Sequence, residues 1–239
     1  MTDVDAILFD LDGTLLDTAP DMVGALNRLL GEKGRESLEF SVARAFVSHG
    51  AVRLVRLGFA DASAELFERL RQRFLAIYAD HLADATRLFV GIEEVLVALE
   101  ASGKPWGVVT NKPGWLTTPL LRALDLDSRA ACVVSGDTVG ERKPHPLPLL
   151  HAAAQIGVAT QRCVYVGDAE RDIQAGRAAR MTTVAAAYGY VGADEDLSLW
   201  SPHAVISDPR ELLGWLAAAD HASLDAGSAP QHSRPDPLS

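Results

Sequence analysis

Asp10 and Asp12 stand two positions apart directly after the apolar run Ala6-Ile7-Leu8-Phe9, and Gly13 and Thr14 follow them. Carboxylates crowded at the mouth of a buried strand lose hydration and repel each other, by about 4 kcal/mol for unit charges roughly 4 Å apart at an effective dielectric of about 20. A divalent cation offsets that cost. Oxygen donors at the end of a rigid strand suit Mg²⁺, which binds a few carboxylates together with waters and a phosphate oxygen. An Asp-x-Asp by itself also serves as a helix cap or a solvated turn. Here it has company: Thr110-Asn111 after a second apolar run, Lys143-Pro144 beyond a third, and Gly167-Asp168-Ala169-Glu170-Arg171-Asp172 after a fourth.

The elements that must position these groups follow from the hydrophobic pattern. Ala6 to Phe9, Gly107 to Thr110, Ala131 to Ser135, Cys163 to Gly167, Thr183 to Ala186 and Ala204 to Ile206 are short, mostly β-branched or apolar, and bounded by Gly, Asp or Asn. Such runs read as buried parallel strands. Between them, Ile92 to Ala101, Pro119 to Leu124, Pro148 to Ile156, Ile173 to Ala179 and Pro209 to Ala219 carry helical periodicity. The alternation predicts an α/β fold, a Rossmann-like parallel sheet covered by helices on both faces, with working residues at the carboxyl ends of the strands.

Residues 19–85 break the alternation. They show helical stripes, Met22, Leu26, Leu29 and Leu30 in one and Leu66, Leu70, Phe74, Ile77, Tyr78 and His81 in another, and no clear strand. A helical insertion is expected there, its stripes assigned to packing alone. The α/β core then comprises 1–18 and 86–220. From 221 to 239 the chain lacks an apolar period, and Pro230, Pro235 and Pro237 oppose regular structure, so this tail is expected to be disordered.

Bulk properties narrow the function. The 239 residues are 48% hydrophobic, an ordinary globular balance, and 22 Lys and Arg against 32 Asp and Glu give a formal charge of −10. Such a field repels nucleic acid and anionic membranes, so an anionic substrate must be held by local positive groups. The first residues lack the pattern of a secretion signal, and no run approaches the roughly 18 apolar residues of a membrane span, so a cytoplasmic location is expected. Cys132 and Cys163 read as buried strand thiols without chemistry.

Taken in order and spacing, the four polar segments resemble the motifs of the haloacid dehalogenase superfamily over about residues 4 to 218. The resemblance implies a Mg²⁺-dependent phosphomonoester hydrolase working through an aspartyl-phosphate. Asp10 is then the nucleophile, and Asp12 the acid and base, with its backbone carbonyl on the metal. Thr110 and the backbone N–H of Asn111 hold phosphoryl oxygens, and Lys143 sets a point charge against nucleophile and phosphoryl group. Asp168 ligates the metal directly, and Asp172 orients a metal-bound water. Glu170 and Arg171 read as a solvated face. The insertion resembles the family's cap, and Asp12 argues for phosphate over halide chemistry. A small phosphorylated metabolite is the expected partner, with neither nucleic acid nor membrane, and the chain is expected to be a monomer or homodimer.

Within the superfamily, the stretch from Asp10 to Pro20 and Glu141-Arg142-Lys143-Pro144-His145-Pro146 look most like the phosphoglycolate phosphatase branch. The stretch Val47-Ser48-His49-Gly50 and the Trp106 to Pro113 segment are similar to bacterial N-acetylmuramic acid 6-phosphate phosphatases. Ser48, His49 and Gly50 interrupt a helical pattern and are expected to face the leaving group. Arg53 and Arg56 are candidates for a substrate carboxylate, which both esters carry. A sugar phosphomutase or a non-catalytic phosphate-binding protein would share the fold.

Overall fold

The computed structural model describes residues 4–192 and 195–218. Its strands are β1 (Ala6–Phe9), β2 (Leu16–Asp17), β3 (Arg87–Leu88), β4 (Trp106–Val109), β5 (Cys132–Val134), β6 (Cys163–Gly167), β7 (Thr182–Ala186) and β8 (Ala204–Ile206). Its helices are α1 (Ala19–Glu32), α2 (Phe40–Arg44), α3 (Gly50–Gly58), α4 (Ala64–Asp80), α5 (Ile92–Ala101), α6 (Gly114–Ala123), α7 (Leu147–Ile156) and α8 (Glu170–Ala178), with a further helix at 211–218. Six strands form a parallel sheet in the order β5-β4-β1-β6-β7-β8.

Alternation along each strand explains why both faces are covered. Ile7 and Phe9 of β1 join Val164 and Val166 of β6 in a cluster with Leu96 of α5 and Leu120 of α6. Ala6 and Leu8 point the other way, beside Tyr165, against Leu149 of α7 and Ala175 of α8. Successive side chains leave a strand on opposite faces, so a strand apolar at every position must be sandwiched.

Several helix limits differ from the sequence pattern. α6 starts at Gly114 and carries Pro119 within it, where burial of the flanking Leu116, Leu120 and Leu121 offsets the lost hydrogen bond and the crowding of the preceding turn by the ring. α8 starts at Glu170, where the Asp172 carboxylate accepts from Ala169 N at 3.1 Å. The last helix begins two residues after Pro209, while the expected tail at 221–239 lies outside the described residues. The antiparallel pair β2 and β3 escaped the pattern because two-residue strands show no period.

Between β2 and β3 lie α1 to α4, of which α1, α3 and α4 pack on one another. Met22, Leu26, Leu29 and Leu30 are buried, as are Leu70, Phe74, Ile77 and Tyr78. Leu66, by contrast, is 40% exposed and His81 terminates α4, so that stripe is buried only from Leu70 to Tyr78. Asp21 of α1 accepts hydrogen bonds from Ala85 N, Thr86 N and the Thr86 hydroxyl, the last at 2.7 Å, fastening the chain where it leaves this helical unit. Among the described residues no helix is long and apolar enough to cross a membrane.

Candidate active site

β1 is the strand at which the sheet order reverses, with β4 on one side and β6 on the other, and polar groups gather at the carboxyl ends of all three. Asp10 follows β1, Thr110 follows β4 and Asp168 follows β6, each no more than 3% exposed. Lys143, on the segment after β5, is equally buried and reaches into the middle of them. Its ammonium lies 2.8 Å from Asp10 Oδ1 and 2.8 Å from Asp172 Oδ1, and it donates to the Val109 carbonyl at 2.9 Å and the Tyr165 hydroxyl at 2.7 Å. Asn111 holds the lysine's backbone from both sides, donating from Nδ2 to Lys143 O at 2.9 Å and accepting from Lys143 N at 3.0 Å.

Asp10, Asp168 and Asp172 each offer a carboxylate oxygen within 4.8 Å of the others. Burial pushes Asp10 up to about 6, against the opposing pull of Lys143. Burial, then the charges of Asp10 and Asp172, push Asp168 up to about 7. The three buried acids outnumber the two cations that face them, Lys143 and Arg171, and an all-oxygen cluster with surplus negative charge fits a hard divalent cation.

Asp12 is oriented separately. Its Oδ1 accepts from the Thr18 hydroxyl at 2.7 Å and from Lys112 Nζ at 2.6 Å, and its carboxylate stands outside the three-acid cluster. Thr110 Oγ1 accepts from Lys112 N at 3.1 Å, which turns the loop after β4.

The helical unit closes one side. Ser48 donates to Asp168 Oδ2 at 2.5 Å, and Arg171 donates to the Ser48 carbonyl at 2.6 Å. Ser48, His49 and Gly50 line a cavity of about 720 Å³ together with Asp10, Asp12, Thr110 and Asn111. The interruption expected there is a 3₁₀ turn at Val47–His49, ended by Gly50 at φ 72°. Burial and the neighbouring Arg171 and Arg53 hold the His49 imidazole below its ordinary range.

Arg53 lines the same cavity, whereas Arg56 turns away, donating to Ala62 O and lying 4.0 Å from the Phe67 ring centroid. Arg171 is no solvated residue: it lines the cavity and feels the charges of Asp172, Asp10 and Asp168, while Glu170 is exposed as expected. Tyr78, assigned only to packing, places its hydroxyl 2.8 Å from Lys112 Nζ. Lys112 itself and the Tyr165 hydroxyl were not foreseen. A lysine two residues after Thr110 was a visible signal for the first, and a phenol in an otherwise apolar buried strand for the second.

Gly13 sits at φ +89°, and a Cβ there would lie 2.0 Å from Asp168 Oδ2. Gly13→Ala is therefore expected to lower stability by about 1–3 kcal/mol and to displace Asp168. Denaturant unfolding and divalent-cation titration of the purified variant check both effects.

The sequence of residues 7–186 matches the family model described as haloacid dehalogenase-like hydrolase. The chain belongs to that family. The hydrolase is 46% identical over 214 residues to a phosphoglycolate phosphatase of Xanthomonas campestris pv. campestris, covering 90% of this chain and 96% of the relative. It is 39% identical over 215 residues to an N-acetylmuramic acid 6-phosphate phosphatase of Pseudomonas aeruginosa, covering 90% and 95%. Among solved structures, that of a predicted phosphoglycolate phosphatase from Haemophilus somnus superposes with a TM-score of 0.80 at 27% identity, covering 90% of the hydrolase and 98% of the other chain.

Proposed function

We propose that this hydrolase is a phosphomonoesterase that removes phosphate from a small phosphorylated metabolite, with 2-phosphoglycolate as its substrate, giving glycolate and phosphate. The observation that carries the reading is Asp10 at the cavity floor, held by Lys143 at 2.8 Å, with the separately anchored Asp12 beside it. Asp10 Oδ1 is engaged by Lys143 and by Leu11 N, which leaves Oδ2 to attack phosphorus. A phosphorus–oxygen bond forms to Asp10 as the ester bond breaks, and Asp12 gives its proton to the departing oxygen. Asp12 then takes a proton from the water that hydrolyses the aspartyl-phosphate. Thr110 and Asn111 N–H hold phosphoryl oxygens, and Lys143 counters the charge that accumulates on them.

Asp10, Asp168, Asp172 and the Asp12 carbonyl are assigned to Mg²⁺. When bound, the ion supplies charge neutralisation and polarises the phosphoryl group. Residues 19–85 serve as the cap, with Ser48, His49 and Gly50 toward the leaving group and Arg53 available to a substrate carboxylate.

The cavity favours a second reading. At about 720 Å³ it leaves room well beyond a two-carbon acid, and Trp115, 53% exposed, stands on its lining with Leu75 and Val52. An aromatic face beside aliphatic groups suits a sugar ring, as in N-acetylmuramic acid 6-phosphate. Measuring kcat/KM for both esters tests the assignment. A preference above about 100-fold for 2-phosphoglycolate supports the first reading, and one of that size for the sugar phosphate replaces it. Isomerised sugar phosphate without free phosphate would instead mean a mutase.

A further inference from the structure

Among the described residues, Lys112 is a buried cation that the reaction just described does not use. It is 8% exposed, and its ammonium donates to Asp12 Oδ1 at 2.6 Å and to the Tyr78 hydroxyl at 2.8 Å, with the Tyr78 ring centroid 4.7 Å away. Asp12 follows β1, Lys112 follows β4 and Tyr78 lies near the end of α4, so one ammonium joins two strand-end loops of the core to the helical unit.

We propose that Lys112 is a positioning residue that sets the orientation of the acid and base Asp12 and makes it depend on the seating of the helical unit through Tyr78. The inference rests on the phosphatase reading above. Oδ1 of Asp12 takes both the Lys112 and the Thr18 bonds, so Oδ2 is the oxygen that carries the proton. With Oδ1 pinned from two sides, Oδ2 has one direction, toward the cavity that Asp12 lines. Tyr78 orients Lys112 in turn. Displacing the helical unit would take the phenol from the ammonium, and with it the fixed carboxylate geometry that proton transfer requires. Lys112 need not touch the substrate for this role.

Leaving-group chemistry separates this role from phosphate binding or simple structural support. An alkyl phosphate expels a poor leaving group that needs the Asp12 proton, whereas 4-nitrophenyl phosphate expels a phenolate that does not. Because kcat/KM reports events up to formation of the aspartyl-phosphate, the later water-activation step does not blur the comparison. In Lys112→Met, kcat/KM for the preferred alkyl ester is expected to fall about 100-fold and that for 4-nitrophenyl phosphate by no more than about 5-fold.

Tyr78→Phe keeps the ring and deletes only the hydroxyl. It is expected to show the same split at about 10-fold for the alkyl ester, and it decides the question alone if Lys112→Met does not fold. Equal falls for both esters, or an unchanged alkyl ester, overturn the role of Lys112. Wild-type enzyme inert toward every phosphomonoester overturns the phosphatase reading itself, and this inference with it.

Discussion

Asp10→Asn is expected to remove phosphate release by about a thousandfold or more while leaving the protein folded. The amide has the size and shape of the carboxylate it replaces, and its oxygen can keep the bond to Lys143, which wild-type Asp10 makes at 2.8 Å. What is lost is the anionic oxygen that forms the bond to phosphorus. The same change removes one charge from a buried cluster of three acids, so the cation-free variant is expected to melt no lower than cation-free wild type. Phosphate release and thermal unfolding of the purified variant check the two halves. Residual turnover within about tenfold of wild type would exclude a covalent step through Asp10.

Removing the divalent cation is expected to have the second-largest effect, and it should be visible in stability as well as turnover. Asp10 and Asp168 are raised by burial to about 6 and about 7, above the ordinary 3.8 of an aspartate. Between about pH 4 and pH 7 the folded state therefore holds protons that the unfolded state has released. Stability falls as pH rises through that window, by on the order of a few kcal/mol. A bound cation opposes this trend because it favours the ionised acids, adding about 2.7 kcal/mol when present at about 100 times its dissociation constant. Thermal unfolding at pH 5 and pH 8, with chelator and with Mg²⁺, is expected to show a Mg²⁺-dependent rise that is larger at pH 8. Phosphate release is expected to cease in chelator. A melting temperature indifferent to the cation at both pH values would remove the metal from the three-acid cluster.

The place of the candidate site's floor was legible in the sequence for a physical reason. A parallel strand sandwiched between helices must be apolar throughout, so Asp10, Thr110 and Asp168 mark strand ends by breaking apolar runs. Lys143 has no such frame, and only its place in the series of motifs pointed to it. The contact between Lys112 and Tyr78 was hidden because these residues are 34 apart in the chain and meet only once α4 is docked. Tyr78 also shares a stripe with Leu70 and Phe74, where helical periodicity registers its ring and not its hydroxyl. Arg171 was misread for the converse reason: a charged residue in the first turn of a helix usually faces solvent, and only the turn at Ser48 gives it an interior.

Asp21 and the short β2–β3 ribbon pin the two ends of the helical excursion side by side. The loop-closure entropy of so long a detour is met locally at its base, so the sheet need not supply it. Apart from Ser48 and Tyr78, which bond to Asp168 and Lys112, a substitution along the detour is therefore expected to be felt within the helices themselves before it reaches the strand ends.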